Sequence, residues 1–197
     1  MTANIELRDA FARALVKAAE LQLEGDPHGA LQILKDFGLQ HEQDDSDGWL
    51  RSAVNFHSAS ILRYAGDLSG ALHLFLSVEP AREDRSFYLL TAYCTASTMV
   101  SLGDQRRAFE ELRQQISAAR GQADRYDLEV LSLYAHLADR LGEELSPEHR
   151  SLILEVVRLW GVDGARGEEL LDHLETAQRK FREVADADRR RLSSGNS

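Results

Sequence analysis

The sequence predicts an all-α fold, a solenoid of about four helical hairpins with a C-terminal capping helix, and three observations lead there. A glycine followed by an acid recurs at Gly25-Asp26, Gly66-Asp67, Gly103-Asp104 and Gly142-Glu143, at intervals of 41, 37 and 39 residues. An alanine stands seven residues before each glycine (Ala18, Ala59, Ala96, Ala135), and another five after the first three (Ala30, Ala71, Ala108). Apolar residues around each glycine return every three or four positions, and no alternating run bounded by turn residues argues for a strand.

Each residue type has a physical reason at its place. A glycine just past a helix end takes the left-handed conformation that caps it. The acid that follows accepts bonds from the free N–H groups of the next helix. In Gly25-Asp26-Pro27 the proline falls at the first helical position, where its missing N–H costs nothing. Alanines on both sides of the turn let two backbones approach closely.

The first hairpin spans roughly 5–40, with Phe11, Leu15 and Ala18 before the turn and Leu31, Leu34 and Phe37 after it. A polar connector, His41 to Asp47, leads to the second at 47–79, with Ser46 or Asp47 expected to cap its first helix. That hairpin carries Val54, Phe56, Ala59 and Leu62, then Leu72, Phe75 and Val78. Breaks at Glu79-Pro80 and Gly121 bound the third, at 83–119, with Leu89, Tyr93 and Met99, then Phe109, Leu112 and Ile116. The fourth, at 122–160, departs from the pattern: Ser146-Pro147-Glu148 supplies a cap after an insertion, and the helix runs through Val156 and Trp160. A helix at 166–191 spaces Leu170, Leu174, Ala177, Phe181 and Val184 by four and three among charged residues, as a terminal cap should. The expectation is a single domain over 1–192, with 193–197 a frayed tail.

The segment from Arg63 to Phe75 resembles the turn and second helix of a tetratricopeptide repeat (TPR), with Ala59, Gly66, Ala71 and Phe75 in the family's small, turn, small and aromatic positions. The resemblance covers roughly 5–160. Asn55 stands where the family has a tryptophan, and the period exceeds its thirty-four residues. The resemblance implies a right-handed superhelix whose concave face is lined by the first helix of each pair. Its groove positions, three, six and ten residues before the turn glycine, carry over to Leu15, Ala19 and Gln22, to Phe56, Ser60 and Arg63, and to Tyr93, Ser97 and Val100. The fourth set is Ser132, His136 and Asp139, and Tyr64 and Arg140 lie close by. From these the candidate partner-binding residues are Phe56, Ser60, Arg63, Tyr64, Tyr93, Ser97, His136, Asp139 and Arg140. Phe56 and Tyr93 suit packing between helices as well as partner contact. The lysine-and-asparagine set by which some members hold a terminal carboxylate is absent.

Composition narrows the chemistry. Thirty-three acids against 23 bases give a net charge of −10, the wrong sign for neutralising phosphates, so no nucleic acid is expected as a partner. The run Arg189–Arg191 reads as a solvated helix end. Cys94 is the only cysteine, which excludes an intrachain disulfide and a cysteine-cluster metal site. Charges at Glu6, Arg8, Asp9, Arg13 and Lys17 break any signal-peptide core, and no eighteen-residue apolar stretch spans a membrane. A cytoplasmic protein without cofactors is the expectation.

Catalysis needs converging groups, and the chain offers none. No two of the seven histidines (His28, His41, His57, His73, His136, His149, His173) stand three or four apart, so no helix presents a histidine pair to a metal. Adjacent acids such as Glu110-Glu111 point to different helix faces, and Gly161–Gly167 lacks the lysine of a phosphate loop. Two readings follow: an adaptor or scaffold holding a partner's peptide or helix in the concave groove, or a regulatory sensor whose stack responds to a peptide or small ligand. Self-association through an end repeat would accompany either.

Overall fold

A computed structural model describes residues 2–45, 47–79, 84–118 and 125–144, together with Pro147 and Ser151. Among the described residues there are seven α-helices, one 3-10 turn and no strand. The helices are α1 (Thr2–Leu23), α2 (Pro27–Gln40), α3 (Trp49–Tyr64), α4 (Leu68–Leu76), α5 (Arg85–Ser101), α6 (Gln105–Ala118) and α7 (Arg125–Leu141). Apart from Pro147 and Ser151, the second helix expected within 122–160 lies outside the described residues, as do the capping helix at 166–191 and the tail at 193–197.

Four turns share one geometry. Gly25, Gly66, Gly103 and Gly142 have φ of 85°, 88°, 86° and 70°, the left-handed region that a side chain resists. In each, the glycine N–H donates three residues back and the next N–H donates five back: Gly66 to Arg63 (3.1 Å) and Asp67 to Leu62 (2.9 Å), for example. These reverse bonds satisfy carbonyls that the helix end leaves free. The Asp26 and Asp67 carboxylates then accept from the N–H groups of Gly29 and Gly70, both at 2.9 Å, and so start α2 and α4. Gly29 and Gly70 leave the space those carboxylates occupy, since a Cβ there would lie 2.3–2.4 Å from an aspartate oxygen.

The chain divides into two compact units, 1–104 and 105–197, and the boundary falls at the third of these turns. In the first unit α1 packs on α2, α2 on α3, α3 on α4 and α4 on α5. The alanines sit at the crossings: Ala30, Ala59, Ala71 and Ala96 are fully buried and Ala18 is 2% exposed. One core cluster joins Phe11, Leu34, Leu50 and Ile61. A second joins Phe56, Ala59, Phe75 and Val78.

A chain of rings links the two. Phe11 meets Phe37, Trp49 and His57 at 5.6–5.8 Å, His57 meets Phe56 edge-on at 5.4 Å, and Phe56 meets Phe75 and Phe87. His57 is therefore a boundary residue between hairpins, and burial lowers its pKa below the ordinary 6.5. In the second unit α6 packs on α7. There Phe109 stacks on Tyr134 at 4.9 Å, beside fully buried Ala108 and Leu112 and nearly buried Ala135.

Two outcomes are expected. A methyl added at Gly66 meets nothing within 4 Å, so Gly66→Ala carries conformational strain alone. It lowers unfolding stability by about 1–2 kcal/mol in a denaturant titration. For His57 the folded pKa lies below the unfolded one, so the unfolded chain takes up its proton first as pH falls. The contribution of neutral His57 is whole above about pH 6.5 and is lost below it; His57→Gln should make the acid-side decline of stability shallower than in the unaltered chain. Parallel curves for the two proteins would contradict this.

Candidate functional site

The site begins at the connector between hairpins. After α2 the chain makes a 3-10 turn, Glu42–Asp44, with His41 Nδ1 2.9 Å from the Asp44 carboxylate. Gly48, at φ 71°, stands at the N-cap of α3 and has no side chain to cap with. Asp45 does that work from a distance, its two oxygens accepting from the N–H groups of Leu50 (2.8 Å) and Arg51 (2.9 Å). Asp47 accepts from Trp49, at 3.2 Å, and Ser46 lies outside the described residues. Of the residues expected to cap here Asp47 contributes, and Asp45 adds two bonds from across the left-handed Gly48.

Above this helix lies a groove of about 890 Å³. One wall is α2, with Leu31, Lys35, Gly38 and Leu39; the other is α4, with Leu74. The floor is α3, with Leu50, Arg51, Val54, Asn55, Ser58 and Leu62. The connector closes one end with Glu42, Asp45 and Asp47.

The groove exists because its walls differ in length. Both second helices start just after a Gly-Asp turn, but α2 has 14 residues and α4 only nine. At 1.5 Å per residue the missing five residues remove about 7.5 Å of wall at the connector end. The chain after α4 is drawn onto α3 instead. The Ser52 hydroxyl donates to the Glu79 carbonyl (3.1 Å) and accepts from its N–H (3.3 Å), and the Asn55 amide donates to Ser77 Oγ (3.1 Å).

The residues expected to bind a partner sit elsewhere. At roughly 100° per residue, Phe56, Ser60 and Arg63 lie on the face of α3 about 170° from the groove floor. Phe56 is only 6% exposed and holds Phe75 and Phe87, so it is a core residue and not a surface anchor. Ser60 and Ser97 turn their hydroxyls onto the Phe56 and Cys94 carbonyls. Arg63 and Tyr93 are half-buried, while Tyr64 is 75% exposed. His136, Asp139 and Arg140 belong to α7 in the other unit, where His136 and Arg140 are exposed and Asp139 is half-buried.

Sequence reasoning missed Gly38, Leu39 and Val54 as a set. The one sequence signal was Gly38, a glycine inside an otherwise helical run; that its neighbour Leu39 is 63% exposed only the fold shows. Among the described residues no group of three or more His, Cys, Asp or Glu is placed to hold a metal ion. No helix among them is long and apolar enough to cross a membrane.

No protein-family model and no curated protein matches the chain. Two solved structures do, both crystal structures of a Podosopora anserina protein described as a kinesin light chain with nearly identical TPR-like repeats. One, a point variant, is 17% identical with a TM-score of 0.55, covering 88% of this chain and 97% of that one. The other is 18% identical with a TM-score of 0.54, covering 87% and 96%. The chain therefore has an all-α, TPR-like helical-repeat fold.

Asp45 gives this site its prediction. Asp45→Ala removes two acceptors at the start of α3 and should cost about 1–2 kcal/mol of stability by denaturant titration. Asp47→Ala, which leaves both of those bonds in place, should cost less.

Proposed function

We propose that the chain is a protein-interaction module, an adaptor or scaffold that holds a partner protein on the α2–α3–α4 face of its first unit. One observation carries this reading. The groove pairs a partly exposed apolar lining, with Leu39 at 63%, with a charged rim, the composition of an interaction surface. TPR-like repeats generally bind protein partners, and the match to two such structures supports the same class of activity here. The first-helix face, with exposed Tyr64, is the competing surface.

A photo-crosslinking residue placed at Leu39 or at Tyr64 separates the two faces. Adducts with a partner protein in extract of the source cells are expected from position 39 and not from 64. Adducts from 64 alone would move binding to the other face, and adducts from neither would end the reading.

A further inference from the structure

We infer that the groove receives an amphipathic helix of a partner, apolar stripe inward, with basic residues at its end over the 42–47 connector. The inference rests on the groove being the binding surface. Peptide recognition uses a small set of modes, and the walls eliminate most of them. Strand addition needs a sheet edge, and the walls are helices. Polyproline docking needs an aromatic-lined groove, and the lining contains no aromatic side chain. Phosphopeptide capture needs an arginine cluster; the lining has Arg51, whose guanidinium lies 3.7 Å from Glu79, and the single Lys35.

Of the modes that lay a peptide along a groove, helix docking is what remains, and the surface is ruled for it. Leu31, Lys35 and Leu39 follow one another at i+4 along α2, and Arg51, Asn55, Ser58 and Leu62 run at i+4, i+3 and i+4 along α3. Such rows are the ridges into which another helix sets its own. Charge sets the polarity. Leu31 and Leu62 make the far end apolar, while Glu42 and Asp47 are exposed at the connector end, with Glu79 82% exposed across Arg51. Lysines or arginines at one end of the incoming helix meet that acidic mouth, and its positive N-terminus suits the same place. A second copy of this chain, itself at −10, is the wrong partner for it.

Gly38 is the second observation. A glycine inside a helix costs about 1 kcal/mol relative to alanine. No clash requires it, since a Cβ at 38 would meet only Val54, at an ordinary 3.5 Å. What its bare backbone leaves is room on the α2 wall for close approach of another chain.

The test uses the 197-residue chain and three fluorescent 15-residue peptides of high helix propensity. The first carries leucines at one helical stripe and two lysines in its first turn. The second has the same composition with the stripe shuffled, and the third has glutamates for the lysines. Binding is read by anisotropy and located by methyl NMR at Leu39, Val54 and Leu74. The striped basic peptide should shift those methyls and bind at least about tenfold more tightly than the shuffled one. The acidic version should bind about two- to fivefold more weakly than the basic. Gly38→Ala should raise the melting temperature yet weaken the striped peptide about threefold. Equal binding of striped and shuffled peptides, preference for the acidic one, or unaltered binding by Gly38→Ala would overturn the inference. A fourth, proline-rich peptide tests the mode: if it alone shifts the groove methyls, the helix is wrong and the docking surface stands. If no peptide shifts them and crosslinks arise only at Tyr64, both fall.

Discussion

A left-handed glycine between antiparallel helices is the constraint on which the other features rest. With φ between 70° and 88°, it lets two consecutive N–H groups bond backwards to the helix just ended. The chain leaves that turn in a fixed direction, and at Asp26 and Asp67 the next residue starts the following helix with its carboxylate. Reversal, exit angle and restart are thus set within about six residues. In the first two hairpins the alanines at fixed offsets from it, Ala18 and Ala30, then Ala59 and Ala71, are buried where helix packs on helix, and only a small side chain fits there.

Stacking the hairpins needs a different kind of contact. Alanines bring helices together but fill little volume, so the larger side chains decide how one hairpin sits on the next. Phe11 from α1, His57 and Phe56 from α3, Phe75 from α4 and Phe87 from α5 form one continuous series of ring contacts. Aromatic pairs in edge-on geometry add about 0.5–1.5 kcal/mol each beyond their burial, and they fix orientation as well. Placing a titratable ring in that series ties hairpin packing to a neutral imidazole. Phe56 thereby serves the stack from inside, a role its offset from the turn glycine shares with surface positions.

The repeat was legible in the sequence because its determinants are local: a glycine, an acid and two alanines lie within about a dozen residues of one another. The groove was not, for two physical reasons. Periodicity marks Val54 and Leu62 as apolar stripe residues, yet it cannot tell which stripe a neighbouring helix covers. Whether α4 reaches far enough to cover Val54, toward the connector end, depends on where it stops, and that is decided by Ser52 and Asn55 holding Ser77 and Glu79, residues 22 to 27 positions away. Asp45 escaped for a similar reason. Its carboxylate caps a helix that begins four residues later, across a glycine whose sign of φ no side-chain pattern announces.

Local rules are broken where the groove lies. A fourteen-residue helix carries an interior glycine that sterics do not require, and its counterpart in the next hairpin ends five residues early. The glycine costs stability that alanine at 38 would return. The two departures fall on opposite walls of one groove and both widen it. Leu39 completes the pattern, an apolar side chain left 63% exposed where a longer α4 would face it. Sequences that fold well agree with themselves at every level, and isolated disagreements concentrate at functional surfaces. These departures converging on one groove are the physical reason behind the proposal that a partner docks on the α2–α3–α4 face.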